Sequence, residues 1–115
     1  MLDHDRLIAI ALELPGAERG TAWGQAVAKV GKASLFYWNP QWNAAVFNVD
    51  FDTRDFLIEA DPETFFTTDH HRNWPCVLAR LETVDEGWVR EQLKRAWRKG
   101  APKTLQKRHP ELKLP

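Results

Sequence analysis

Residues 65–81 constrain the fold of this chain more than any other stretch, because two apolar runs there flank a polar loop that carries two histidines. Apolar runs bounded by turn residues are typical of strands, so the stretch predicts a β-hairpin. The second run, residues 74–81, is apolar on both alternating faces as far as Arg80. A strand of this kind is usually central in its sheet and covered by helices. We therefore expect residues 74–81 to form a central strand.

Length and composition indicate a single globular domain over residues 1–115, with residues 109–115 as a loose tail. No run approaches the roughly 18 apolar residues of a membrane span, and the start lacks the basic segment of an export signal. We therefore expect a cytoplasmic protein with no membrane partner. The only cysteine, Cys76, lies in an apolar run, which favours a buried core position. Most of the six tryptophans are also expected in the core.

The hydrophobic periodicity predicts an α+β domain, a two-layer sandwich in which an antiparallel sheet packs against helices. The expected order is α-β-β-β-α-β-β-α: a helix over 3–14, strands at 26–30, 34–38 and 44–49, a helix over 52–60, the 65–81 hairpin, and a helix over 85–100. A further short helix is expected from Pro102 to about residue 108.

Capping and turn residues support these boundaries. Asp3, Asp52 and Asp85 each precede an amphipathic run and are predicted N-caps. Gly31-Lys32 offers a two-residue hairpin turn with glycine first, as a type II′ turn prefers. Phe56 is expected to face inward from the 52–60 helix.

The formal charges sum to zero, but they are unevenly distributed. Residues 1–89 carry 14 acidic and seven basic side chains, whereas residues 90–108 carry one acidic and eight basic side chains. A basic end of this kind can meet an anionic partner. Basic side chains also favour helix C-termini on dipole grounds, so a structural role stays open.

Nucleic-acid binding requires Lys or Arg for phosphate contacts, and exposed aromatic rings for stacking. If both predicted hairpins project on one side, their tips form two wings beside the basic terminal segment. The candidate DNA-binding residues on these tips and on that segment are Lys32, Arg72, Asn73, Lys103, Lys107 and Arg108.

Short motifs are spread over nearly the whole chain: Leu14-Pro15-Gly16, Trp23-Gly24, Gly31-Lys32, residues 58–68, His70, Trp74-Pro75, residues 77–81, Trp97 and Ala101-Pro102-Lys103. In these motifs the sequence resembles the MmcQ/YjbR family. The resemblance implies an α+β fold related to the frataxin-like and secretion-chaperone-like sandwiches. It also implies DNA binding through a double-wing arrangement. His71 departs from the family pattern, which typically has an aromatic residue at that position.

Asp69-His70-His71 suggests a metal site, since imidazole and carboxylate are ordinary metal ligands. Adjacent side chains on an extended segment point to opposite faces, so His70 and His71 do not converge on one ion. We expect no metal and no cofactor. The sequence has no P-loop, no GxGxxG and no nucleophile elbow, which favours a non-enzymatic protein.

The tryptophans support an alternative hypothesis, a module that binds another protein, a second copy of itself, or a small ligand. Trp38 and Trp42 flank a turn and would act as exposed anchors, since tryptophan is enriched at binding hot spots. Trp23, His70 and Trp74 would line a ligand pocket. The leading hypothesis is a non-enzymatic, cytoplasmic DNA-binding protein.

Overall fold

The computed structural model describes residues 1–112, which form four α-helices, seven strands and a final 3-10 turn. In chain order these are α1 (His4–Ala11), β1 (Ala17–Ala22), β2 (Gln25–Val30), β3 (Ala33–Ser34), β4 (Tyr37–Asn39), β5 (Ala44–Asn48), α2 (Phe51–Ala60), β6 (Phe65–Phe66), β7 (Cys76–Arg80), α3 (Glu86–Gly100), α4 (Lys103–Arg108) and the 3-10 turn (Pro110–Leu112). Helices combined with antiparallel strands confirm the predicted α+β class.

The strands form two antiparallel sheets, ordered β1-β2-β3 and β4-β5-β7-β6. The predicted strand at 34–38 is divided between them, because regular pairing stops at Leu35 and Phe36, which are both buried. The Leu35 N–H still donates to the Ala28 carbonyl at 2.9 Å, which continues the pairing of β3 with β2 by one residue. The predicted single sheet is therefore interrupted where Leu35 and Phe36 enter the core.

Strand β1 lies outside the predicted strands. It pairs with β2 along its whole length, from Ala17 opposite Val30 to Ala22 opposite Gln25. Its sequence, AERGTA, has no regular apolar alternation, and it lies at the edge of its sheet. A strand with little burial needs no such alternation, so hydrophobic periodicity does not reveal it.

Strand β7 is central, as predicted, because it pairs with β5 on one side and with β6 on the other. Val77 and Ala79 belong to the main core that the helices cover. Leu78 and Cys76 belong to a smaller cluster on the opposite face of the sheet, which we call the outer face. Cys76 is buried, as predicted, and this burial raises the pKa of its thiol.

Two of the three predicted N-caps are confirmed. Asp3 caps α1 and Asp85 caps α3 through side-chain hydrogen bonds to backbone N–H groups. The third prediction is wrong, since α2 is capped by Asp50 and not by Asp52. The Asp50 carboxylate accepts the Thr53 N–H at 2.7 Å, which satisfies a backbone donor that the first turn of a helix leaves free.

Helix α3 carries the buried stripe of Val89, Leu93 and Trp97. The Trp97 indole N–H donates to the Pro15 carbonyl at 2.8 Å, so the buried ring has a partner for its polar atom. Among the helices of residues 1–112, none combines the length and the apolar character that spanning a bilayer requires.

The C-terminal segment is more ordered than the predicted loose tail from residue 109. Pro110–Leu112 forms the 3-10 turn, and Leu112 packs against the main core. The His109 ring lies edge-on to Trp97, with 6.3 Å between ring centroids. Arg98 donates from Nε to the Leu112 carbonyl. Residues 113–115, which complete the predicted tail, lie outside the described residues.

Candidate functional site

A cleft of about 1000 Å³ opens between the β1-β2-β3 sheet and helix α3. One wall comes from these strands, and the other from α3 and the segment that enters α2. The charged side chains that line it are Lys29, Lys32, Asp50, Glu91, Arg95, Arg98 and Lys99. We call this region the basic cleft, because five of these side chains are cationic and two are carboxylates.

The two carboxylates of the basic cleft already have partners. Asp50 accepts the Thr53 N–H, and this hydrogen bond lowers the pKa of the Asp50 carboxyl group. Glu91 forms an ion pair with Lys94, with 3.5 Å between Oε1 and Nζ. Five cationic side chains outnumber these two carboxylates, so the cleft has an excess of positive charge, which favours an anionic ligand.

Two glycines bring the walls of the cleft together. Gly31 has a φ of +59°, which suits the first position of the predicted type II′ turn, and it packs against Pro102 at the start of α4. Gly100 lies so close to β3 that a Cβ there would be 2.3 Å from the Cβ of Ala33. These approaches place Lys32 on the β2–β3 turn beside the C-terminal end of α3.

A second feature is a group of rings that we call the aromatic surface: Trp23, Tyr37, His70 and Trp74. Trp23 stacks on Tyr37, with ring centroids 4.6 Å apart and planes 18° from parallel. The centroid of Trp74 lies 5.9 Å from that of Trp23, and that of His70 lies 5.2 Å from Trp74. The three predicted pocket residues are therefore neighbours. They form a surface cluster, and of the three only Trp23 lines the basic cleft.

Trp23 occupies an unusual backbone position. Ala22 pairs with Gln25, so Trp23 and Gly24 form the two-residue turn between β1 and β2. Both have positive φ values, +51° and +77°. A type I′ turn requires this at both central positions and favours Asn-Gly, whereas a bulky residue there is strained. The turn presents the Trp23 ring, which is 70% exposed.

The aromatic surface continues along the outer face. One row of paired residues crosses all four strands of the second sheet: Tyr37, Val46, Leu78 and Phe66. Tyr37 and Phe66 pack against the small apolar cluster of this face. Trp42 lies edge-on to Phe66 at 5.7 Å, and the Arg80 guanidinium lies 4.0 Å over the same ring. Aromatic rings therefore occupy both ends of the row.

The six tryptophans divide into two groups, which corrects the prediction that most of them fill the core. Trp23, Trp42 and Trp74 are 70%, 46% and 42% exposed. Trp97 is buried, and Trp88 packs against the main core. Trp38 was predicted as an exposed anchor, but it is half-buried and stacks on the His4 ring at 4.1 Å.

The candidate DNA-binding residues are not gathered in one place. Lys32 lines the basic cleft. Lys103 follows Pro102, which packs against the Gly31 turn, so Lys103 begins α4 near the same end of the cleft. Lys107 and Arg108 are exposed in the last turn of α4.

Arg72 and Asn73 lie in the 67–75 loop and do not line the basic cleft. Both are exposed. The Arg72 guanidinium pairs with the Asp69 carboxylate, and its carbonyl accepts a hydrogen bond from Arg54 at 2.7 Å. This loop approaches the cleft through Trp74, which reaches Trp23 on the neighbouring hairpin.

The two loop histidines occupy different environments. His70 is exposed, whereas His71 is buried and its Nδ1 lies 2.7 Å from the Thr68 hydroxyl. Burial, and to a lesser degree the nearby His70, lowers the pKa of His71. Within residues 1–112, no group of three or more His, Cys, Asp or Glu side chains is placed to hold a metal ion.

Sequence reasoning did not name Lys29, Arg95, Arg98 and Lys99 as site residues, although they line the cleft. The basic run over residues 90–108 contains three of them and was the available signal. Lys29 projects from β2, and only the pairing of β2 with β1 and β3 places it opposite α3.

These features define a small α+β domain with a basic cleft that ends at an exposed aromatic surface. A family model described as YjbR matches residues 12–99, and the chain therefore belongs to the YjbR family. Neither the comparison with curated proteins nor the comparison with solved structures gave a significant match.

Proposed function

We propose that this protein is a non-enzymatic, cytoplasmic DNA-binding protein that holds the phosphate backbone in the basic cleft. The observation that carries the proposal is the charge of the cleft, where five cationic side chains face two carboxylates that already have partners. Phosphate contacts from Lys and Arg supply most sequence-independent affinity for DNA.

The arrangement of the cationic groups also supports this proposal. Arg95 and Lys99 are exposed and one helical turn apart on α3, and Lys32 faces them from the β2–β3 turn. Lys103, at the start of α4, extends the same end of the cleft. A DNA phosphate backbone that enters the cleft would therefore contact cationic side chains on both of its walls.

The test is a titration of fluorescently labelled DNA at several salt concentrations. Counterion release makes the logarithm of the binding constant fall linearly with the logarithm of salt concentration. Lys99→Ala removes one cleft charge and is expected to reduce this slope by about 0.7 for a single strand or about 0.9 for a duplex, and the Arg95→Ala/Lys99→Ala variant by about twice that amount.

Arg90→Ala is the matched control, because Arg90 lies on the same helix, pairs with Glu13 and Glu86 outside the cleft, and does not line the basic cleft. Its slope is expected to equal that of the unmodified protein. Absence of binding at low salt, or equal slopes for Lys99→Ala and Arg90→Ala, would contradict the proposed cleft.

A second candidate function is favoured by the exposed tryptophans. Trp23, Trp42 and Trp74 present large rings to solvent, and such rings are enriched at protein–protein hot spots. A homodimer formed through these rings would dissociate on dilution. Sedimentation at several concentrations tests this, and a monomer over the whole range would exclude self-association through this surface.

A further inference from the structure

Trp23 belongs to both of the features described above. It lines the basic cleft together with Lys29 and Lys32, and its ring also forms the aromatic surface with Tyr37 and Trp74. The cleft and the surface are therefore continuous. A ligand whose phosphates occupy the cleft has an aromatic ring within reach at the end of its path.

The backbone at Trp23 indicates that this side chain is not an incidental feature of the turn. A left-handed conformation is unfavourable for a bulky non-glycine residue, and Asn or Gly would serve the same turn with less strain. Strained residues that persist are concentrated at functional sites, where the rest of the fold stabilises them. The strained backbone and the exposed ring therefore make Trp23 a candidate for contact with a ligand.

We propose that the DNA held by this protein is single-stranded, with its phosphates in the basic cleft and at least one base stacked on Trp23 or Trp74. This inference rests on the proposed function, since it specifies the form of DNA that the same cleft binds. A charged groove that ends in exposed aromatic rings matches the chemistry of single-strand recognition, in which rings stack on bases without reading their sequence.

The geometry favours a single strand over a duplex. Bases in a duplex stack on one another and offer no free ring face to a protein, whereas a single strand presents the face of each base. A cleft of about 1000 Å³ is also of the size that encloses a small molecule. Such a volume accommodates a few nucleotides, while a duplex would contact only its rim.

The experiment compares three labelled probes of equal length at one low salt concentration: an oligothymidylate, an abasic oligodeoxynucleotide and a duplex. The abasic strand carries the same phosphates without bases, so it separates stacking from charge. Fluorescence anisotropy gives the affinities. We expect the oligothymidylate to bind about tenfold more tightly than the abasic strand, as one stacked base would provide, and more tightly than the duplex. We also expect it to quench the tryptophan fluorescence.

Trp23→Asn tests the assigned residue, because Asn adopts the left-handed turn conformation readily and preserves the fold. We expect this variant to lose most of the tenfold preference for the strand with bases while binding the abasic strand normally. Phe56→Ala is the matched control. Phe56 was predicted to face inward, but it is 69% exposed on α2 and does not line the cleft. Thermal unfolding checks that each variant is folded.

The outcomes separate this inference from the proposed function. Equal affinity for all three probes would overturn single-strand stacking and leave binding by charge intact. A preference for bases that the Trp23→Asn/Trp74→Ala double variant retains would overturn the assigned rings. Failure of all three probes to bind at low salt would overturn both this inference and the proposed function.

Discussion

The two hairpins whose tips meet at the aromatic surface are built in opposite ways. The β1–β2 hairpin has two six-residue strands, a two-residue turn and a largely polar outer strand. The β6–β7 hairpin has a two-residue strand, a long loop over residues 67–75 and a strand that is buried on both faces. Each presents an exposed tryptophan, Trp23 or Trp74.

The difference shows how each hairpin is stabilised. In β7 the side chains hold the strand in place, since Val77, Leu78 and Ala79 are fully buried between two apolar clusters. In β1 the backbone pairing with β2 and the tight turn have to supply most of the order, since few of its side chains are buried. Substitutions should therefore affect the two hairpins through different mechanisms.

The largest effect is expected in β7. Leu78→Ala removes a fully buried side chain from the outer-face cluster and should lower the free energy of unfolding by about 2–5 kcal/mol. Thr21→Ala, at an exposed position in β1, should change it by less than about 0.5 kcal/mol. Urea denaturation of both variants measures the contrast. Equal losses would show that the two hairpins do not differ in this way.

A smaller effect is expected at the β1–β2 turn. Gly24 has a φ of +77°, and a Cβ added there would meet nothing within 4 Å, so the cost of Gly24→Ala is conformational alone. We expect a loss of about 1–2 kcal/mol in the free energy of unfolding. Gly24→Asn is the control, because asparagine tolerates this conformation better. An unchanged stability of Gly24→Ala would indicate that the turn does not hold β1 in register.

The smallest effect is a pH dependence from the β6–β7 loop. Burial lowers the pKa of His71 in the folded protein, so below about pH 6.5 the unfolded chain binds more protons than the folded chain. Stability should therefore decrease as the pH falls from 6.5 towards the lowered pKa of the folded state. Denaturation of the unmodified protein and of His71→Gln at pH 7.5 and pH 5 measures this term.

His70→Gln serves as the comparison for that experiment, since His70 is adjacent but exposed. The pH dependence of this variant should lie between those of the unmodified protein and of His71→Gln, because the nearby His70 is the smaller of the two causes that lower the pKa of His71. If both variants behave alike, burial of the His71 ring does not contribute to acid sensitivity.

The contrast between the hairpins also explains what could be predicted from the sequence. The continuous apolar run that ends in Leu81 revealed β7 and its central position, because burial on both faces leaves a signal in composition. Reasoning from apolar patterns missed β1, whose residues largely face water. The N-cap of α2 was misplaced by two positions, because Asp50 and Asp52 are both acceptable caps by residue type.

The candidate site was predictable only in part. The basic run over residues 90–108 indicated an anionic partner, and Trp23, His70 and Trp74 were identified as possible neighbours. The sequence could not place Lys29 opposite Arg95, because that proximity depends on an unpredicted strand and on the approach of α3 to β3. Contacts between residues far apart in the chain depend on how the elements pack, and local sequence patterns do not predict them.

The walls of the basic cleft come from residues 21–37 and from residues 88–100, with a short contribution near residue 50. Local unfolding of either the N-terminal strands or α3 would therefore abolish the cleft. A ligand of the cleft binds only the folded domain and therefore stabilises it against unfolding. A ligand present at 100 times its dissociation constant would raise the free energy of unfolding by about 2.7 kcal/mol. A thermal-shift screen of unlabelled compounds can thus report occupancy of the cleft without any assumption about the chemistry of the ligand.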